Sequence, residues 1–170
     1  MKKKKKNRMT TYQRFLDGLS LIMCLGAVIY TAVRYSSLPD MLPSHFDSAG
    51  NITGYQGKSA LFVVVFFVIF TTATFALLLR LNALYEVMSV PWPIPKGRER
   101  EAQSIVKEML AEFDALYTFL FADLVFSVIH SYMHPLLIWL PIALSGVSFV
   151  MLFVRLYRLC KKPKDKEPWE

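Results

Sequence analysis

Residues 60–79 read ALFVVVFFVIFTTATFALLL and contain no charged side chain. An α-helix of about 20 apolar residues, rising about 1.5 Å per residue, crosses a hydrocarbon core of about 30 Å. Residues 15–33, 116–133 and 135–154 form three further apolar runs of similar length. None of the runs alternates polar and apolar residues as a membrane β-strand does. The sequence therefore predicts an all-α integral membrane protein with four transmembrane helices.

The lysines and arginines indicate how these helices are oriented. Residues 1–14, 80–115 and 155–170 carry 18 of the 20 basic residues. Because basic residues near the ends of spans stay cytoplasmic, we predict a multi-pass plasma-membrane protein with both termini in the cytoplasm. The loop of residues 34–59 then lies outside the cell. This topology, with attraction to anionic lipids, accounts for the net charge of +7, so no nucleic-acid partner is expected.

The cytoplasmic loop before the third span has its own pattern. Apolar residues recur with helical spacing between residues 98 and 113, and charged residues take the other positions. This pattern predicts an amphipathic cytoplasmic helix that lies on the inner leaflet and leads into the third span. A docking face for a cytoplasmic partner is the alternative. The apolar positions are Ala102, Ile105, Val106, Met109, Leu110 and Phe113.

These features divide the chain into five segments. The predicted segments are a basic tail at 1–14, two helices with their extracellular loop at 15–79, a cytoplasmic loop at 80–115, two helices at 116–154 and a basic tail at 155–170.

The most distinctive part of the extracellular loop is residues 38–58, which read LPDMLPSHFDSAGNITGYQGK. Prolines fix backbone angles and glycines permit tight turns. We therefore expect an ordered cap folded over the outer helix ends, with a short strand pair around Ile52. Turn chemistry explains the prolines and glycines of this segment but does not explain His45.

The spacing of residues in this segment resembles the signature of a bacterial membrane-protein family of unknown function. The same domain forms the N-terminal part of SdpI-type immunity proteins, which protect toxin-producing cells from their own secreted antimicrobial peptide. The resemblance covers residues 16–79 and implies a membrane domain with an immunity-like role. SdpI-type proteins continue into a longer membrane domain, whereas this chain has two further predicted helices. The landmark residues here are Pro39, Pro43, His45, Phe46, Gly50, Gly54, Tyr55 and Lys58.

A second group of polar residues lies on one face of the third predicted span. Asp123, His130 and His134 are seven and four residues apart, which places them within about 40° of one another. Asp123 is near the middle of the bilayer, and an ionisable residue there indicates a functional site. We expect Asp123 to pair with a hydroxyl or amide group of another helix, such as Ser20, Thr72 or Ser145, or to remain protonated because it is desolvated.

Three interpretations of this polar face remain open. The first is a set of hydrogen bonds that join the helices, and the second is a proton- or ligand-responsive pocket beneath the cap. The third is a site for zinc or another metal, formed by His45, His130 and His134 with Asp40 or Asp47. The histidine spacing matches no recognised metal motif, so no metal site is assigned. The sequence contains no phosphate-binding loop, nucleophile elbow or paired zinc histidines, and we expect neither enzymatic activity nor a cofactor.

We therefore predict an accessory or immunity-like protein that recognises a peptide, lipid or protein at its extracellular face. Its expected partners are the lipid bilayer and a peptide or membrane protein. The alternative is a proton-coupled transport component that uses Asp123 and His130.

Overall fold

The computed structural model describes residues 9–80, 94–95 and 97–161. Four helices in these ranges are long and apolar enough to cross a membrane, which confirms the four predicted spans. The chain therefore has the architecture of a multi-pass membrane protein. Parts of the predicted tails and of the predicted cytoplasmic loop lie outside the described residues. The helices are α1 (Thr11–Arg34), α2 (Leu61–Arg80), α3 (Glu99–His130) and α4 (Pro135–Lys161).

Local sequence accounts for the ends of α1 and α3. At the start of α1, the backbone N–H of Gln13 donates to the hydroxyl of Thr10, and the side chain of Gln13 accepts from the backbone N–H of Thr10. This capping box satisfies two backbone donors that have no partner within the helix. At the end of α3, Ser131 adopts the left-handed conformation with φ of 55°, which ends the helix before Pro135 begins α4.

The centre of the bundle is α3, which packs against α1, α2 and α4. Its second half contributes Val125, Val128 and Ile129 to a hydrophobic cluster shared with α1 and α2. Its first half contributes to a second cluster shared with the end of α2 and with α4. Many large apolar side chains elsewhere point outward, as expected for helices that face lipid.

The first half of α3 contains the segment predicted to form a separate amphipathic helix. The structure differs from that prediction, because residues 99–130 form one continuous helix. The apolar face of its first half, at Ala102, Val106 and Met109, is buried against the ends of α2 and α4. Neighbouring helices therefore cover the face that was expected to lie on the inner leaflet.

The segment between α1 and α2 forms a β-hairpin. Strand β1 (Met41–Phe46) pairs antiparallel with strand β2 (Ile52–Gly57), so the strand pair expected around Ile52 is present. Leu42 and Pro43 of β1 are buried, and Leu42 packs with Leu61 of α2 and Val128 of α3. The hairpin is thus fixed to one end of the bundle, which we call the hairpin end.

The turn of the hairpin also contacts the connection between α3 and α4. Gly50 has a φ of 87°, a conformation that residues with a Cβ atom rarely adopt. A Cβ atom at this position would overlap the carbonyl oxygen of Met133 and lie 3.3 Å from Pro135 Cδ. Gly50 therefore allows the hairpin turn to approach the α3–α4 connection closely.

Replacement of Gly50 by alanine is expected to destabilise the protein by about 2 kcal/mol, through backbone strain and overlap with Met133. The matched control is Gly57→Ala in the same hairpin, where an added Cβ meets no atom closer than 3.8 Å. Thermal unfolding of both variants in detergent micelles measures the difference. Equal melting temperatures for the two variants would contradict this account of the contact.

Candidate functional site

A groove of about 380 Å³ lies between α1 and α3 in the half of the bundle that carries the hairpin. Asp123 is the one charged residue among those that line it, and the other lining residues are apolar except for Tyr30. An acidic group in such surroundings is unusual, because an isolated charge in an apolar medium is strongly unfavourable. The main walls come from Met23, Gly26 and Tyr30 on α1 and from Phe119, Asp123 and Phe126 on α3.

Asp123 does not have the partner predicted for it. Its carboxylate oxygen Oδ2 is buried and has no hydrogen-bond partner among the described residues. The three hydroxyl groups expected to bind it each donate to a carbonyl oxygen of their own helix instead. Ser20 donates to Leu16 at 3.0 Å, Thr72 to Val68 at 3.0 Å and Ser145 to Ile142 at 2.7 Å. The predicted pairing is therefore wrong, and the groove contains an unpartnered carboxylate oxygen.

Tyr30 links the groove to the end of α3. Its hydroxyl lies 2.6 Å from Nε2 of His130, and the two rings are stacked. The imidazole also lies against the ring of Phe126, with 4.1 Å between the ring centroids. These three rings form a partly polar surface where the groove meets the hairpin end, and His130 is exposed there.

The other two histidines occupy separate positions. Nδ1 of His45 lies 2.9 Å from the hydroxyl of Ser44, and its ring lies close to Gly54 across the hairpin. His134 is exposed in the α3–α4 connection, beside the ring of Tyr132. The described residues contain no group of three or more His, Cys, Asp or Glu side chains able to hold a metal ion. His45, His130 and His134 therefore do not form the metal site that the sequence left open.

Some of the landmark residues of the loop shape the hairpin. Nζ of Lys58 lies 2.9 Å from Oδ1 of Asp40 and above the ring of Tyr35, and its backbone N–H donates to the carbonyl oxygen of Asp40. The salt bridge to Lys58 lowers the pKa of Asp40. Pro43 is buried and Phe46 is half-buried. These contacts fix the hairpin on the bundle.

Three of the other landmark residues are exposed. Pro39, His45 and Tyr55 face outward from the hairpin, and Tyr55 is 59% exposed. Exposed aromatic and imidazole side chains on a fixed hairpin provide groups for binding. The landmark pattern therefore combines residues that build the hairpin with residues that are available for contact.

A second intramembrane carboxylate, Asp114, was not identified from the sequence. It is fully buried, and its Oδ1 accepts a hydrogen bond of 3.3 Å from the hydroxyl of Thr118. Its Oδ2 has no hydrogen-bond partner in the part of the chain that the structure describes. Sequence reasoning assigned Asp114 to the cytoplasmic loop, which was predicted to end at residue 115. The spacing of Asp114 and Thr118 by four residues, on one helix face, is the signal that points to it.

Three polar contacts join the first half of α3 to its neighbours. Arg155 of α4 forms a salt bridge of 2.6 Å with Glu108, and the hydroxyl of Ser148 donates to Glu112. The hydroxyl of Tyr12 on α1 also donates to Glu112, at 3.4 Å. These pairs explain why charged residues of α3 are accommodated between helices.

Asp47 organises the turn of the hairpin and makes it sensitive to pH. Its carboxylate accepts hydrogen bonds of 2.9 Å from the backbone N–H groups of Ala49 and Asn51 and from the side chain of Asn51. The bonds from Asn51 lower the pKa of Asp47. A lowered pKa in the folded state stabilises the fold above the unfolded value of about 3.9, and this stability is lost as the pH falls.

We therefore expect the hairpin turn to loosen as the pH falls below about 4, because the lowered pKa of Asp47 places its protonation below that of a free aspartate. The amide resonances of Ala49 and Asn51 report the titration by NMR, with a midpoint below that of free aspartate. Asp47→Asn removes the titration, whereas Asp40→Asn retains it. Titration of these amides in Asp47→Asn would contradict the assignment.

Comparison with known families identifies part of the chain. The model of a domain of unknown function (DUF1648) matches residues 22–71, which include most of α1, the whole hairpin and the first half of α2. No curated protein and no solved structure matches the chain. The chain therefore contains a DUF1648 domain, and this domain supplies the α1 wall of the groove, whereas Asp123 lies outside it.

Proposed function

We propose that this protein recognises a cationic, membrane-inserting peptide at its hairpin end and acts there as an accessory or immunity-like protein. The observation that carries this proposal is the carboxylate of Asp123, which has a buried and unpartnered oxygen in an otherwise apolar groove. A cationic side chain that enters the groove stabilises this carboxylate through a charge-assisted hydrogen bond. The apolar walls accommodate the apolar residues of the same peptide.

The depth of Asp123 favours a peptide over a lipid headgroup. It lies seven residues before His130, the last residue of α3, and therefore about 10 Å from the end of the helix. A lipid amine remains at the level of the headgroups. A lysine or arginine of an inserted peptide has a long apolar stem. Its charged group therefore lies at a different depth in the bilayer from its backbone, which allows it to reach Asp123.

The walls of the groove leave room for such a ligand. A Cβ atom at Gly26 would meet no other atom within 4 Å, so a peptide side chain has access to the surface of α1 at this point. Phe119 and Phe126 on α3 provide aromatic surface on the opposite side. Aromatic rings bind both apolar side chains and cations.

The hairpin supplies a second contact surface beside the groove. Its exposed His45 and Tyr55 belong to the landmark pattern, and the charge distribution of the chain supports an extracellular position for them. A peptide arriving from outside the cell meets this surface before it reaches Asp123. The resemblance of the same segment to SdpI-type proteins supports an immunity-like role for this recognition.

Proton-coupled transport is the second candidate, because Asp123 and His130 share one face of α3. The positions of Asp114 and Asp123, whose carboxylates each have an oxygen without a partner, favour peptide recognition instead. Asp114 and Asp123 are nine residues apart, which places them on opposite faces of α3, about 180° apart. They therefore do not line one path along the helix. Proton uptake into proteoliposomes that is lost in Asp123→Asn would favour transport.

Replacement of Asp123 by asparagine is expected to weaken binding of a cationic amphipathic peptide about tenfold or more, because a charge-assisted hydrogen bond is lost. The probe is a fluorescein-labelled helical peptide of leucine and lysine, added to protein in nanodiscs of phosphatidylcholine. Fluorescence anisotropy measures the affinity, and a peptide with glutamate in place of lysine tests charge dependence. Glu99→Gln is the control, since it removes an exposed acidic group at the start of α3, outside both the groove and the hairpin. Equal binding by Asp123→Asn and the wild type would contradict the proposed site.

A bulky residue in place of Gly26 is expected to block the groove without disturbing the fold. Gly26→Leu projects into a space that contains no atom within 4 Å of the new Cβ, so stability is retained while peptide affinity falls about tenfold or more. Gly18→Leu is the matched control, because Gly18 is equally open but does not line the groove. The same anisotropy assay measures both variants. Unchanged affinity in Gly26→Leu would place the peptide elsewhere.

A further inference from the structure

A second polar site surrounds Asp114 on the face of α3 opposite Asp123. The side chain of Asp114 is 0% exposed, and its Oδ2 has no hydrogen-bond partner among the described residues. Hydroxyl groups at Oδ1, such as that of Thr118 at 3.3 Å, compensate only in part for the burial of an ionised carboxylate whose other oxygen has no partner. The local structure therefore favours a further positive group at Oδ2.

The charged residues that influence Asp114 do not supply this positive group. Asp17 and Arg80 are the charged residues that act on Asp114. Arg80 forms a salt bridge of 3.2 Å with Asp17 and donates a second hydrogen bond of 2.6 Å to the carbonyl oxygen of Ala76. Because Asp17 balances the charge of Arg80, these three residues together retain one negative charge. One negative charge matches a monovalent cation.

The polar atoms around Asp114 are oxygens from three helices. The hydroxyl oxygens of Thr118 on α3 and Thr72 on α2 lie 2.9 Å apart, and the hydroxyl of Ser20 on α1 is within hydrogen-bonding reach of the Asp114 carboxylate. Carboxylate and hydroxyl oxygens suit hard cations rather than soft transition metals. The described residues also lack a group of three His, Cys, Asp or Glu ligands, which a divalent metal ion prefers.

We propose that Asp114, Thr118, Thr72 and Ser20 form a binding site for a monovalent alkali cation. The ion neutralises the buried carboxylate and joins α1, α2 and α3 at one point. Because it binds only when the three helices are assembled, it stabilises the folded bundle in proportion to its concentration.

This site is independent of the proposed peptide recognition, and its test uses the ion alone. Wild-type protein in maltoside micelles is melted in choline chloride, sodium chloride and potassium chloride at equal ionic strength. The melting temperature is expected to rise by about 3 °C or more in sodium or potassium relative to choline. The two salts distinguish sodium from potassium as the ion that fits the site.

Asp114→Asn is expected to abolish this shift, because asparagine has the same shape and no charge. Thr118→Val retains the carboxylate of Asp114 but removes one hydroxyl ligand. It is expected to raise the ion concentration needed for half of the shift about tenfold. This variant tests the site if Asp114→Asn does not fold. Asp40→Asn is the control and keeps the full shift. Binding of radioactive sodium to the same variants measures occupancy directly.

Two results would overturn the proposal. The first is a wild-type melting temperature that is the same in all three salts. The second is a melting temperature that rises on acidification and does not depend on alkali ions. A proton, and not an ion, would then neutralise Asp114. The charged and polar groups that surround Asp114 are Asp17, Arg80 and the hydroxyl groups of Ser20, Thr72 and Thr118.

Discussion

The structure depends on the packing of α3 against the three other spans. Inside a bilayer there is no water to satisfy polar groups, so the polar side chains of a central helix must find partners on neighbouring helices. In its first half, Glu108 pairs with Arg155 and Glu112 accepts from Ser148, and these contacts hold α4. In its second half, Val125 and Val128 pack with α1, α2 and the hairpin. The side chains along α3 therefore determine which neighbouring element packs against each half of the helix.

The hairpin extends this arrangement beyond the helix ends. Buried Leu42 fixes it against α2 and α3, while Gly50 brings its turn to the α3–α4 connection. The hairpin thus contacts α2, α3 and the connection between α3 and α4. The strands that carry the exposed His45 and Tyr55 are therefore anchored to the bundle. A ligand that contacts both the hairpin and the groove meets a prearranged site, which reduces the conformational entropy lost on binding.

Much of this fold was predictable from the sequence, because the length of an apolar run determines whether a helix spans a bilayer. The strand pair around Ile52 was predictable from turn chemistry for a similar reason, since prolines and glycines act locally. The continuity of α3 was not predictable, because its charged residues are accommodated by partners such as Arg155, 47 residues away in the chain. The predicted pairing of Asp123 was wrong because the hydroxyl groups of Ser20, Thr72 and Ser145 donate to carbonyl oxygens of their own helices. Asp114 was missed because the predicted boundary of the third span lay just beyond it.

The two aspartates of α3, Asp114 and Asp123, lie in different environments. Asp123 lies in a groove between two helices that is lined by aromatic and small residues, and a group from outside the bundle has access to it. Asp114 is enclosed by hydroxyl groups of three helices and is fully buried. Because nine residues separate them, α3 presents these two environments on opposite faces.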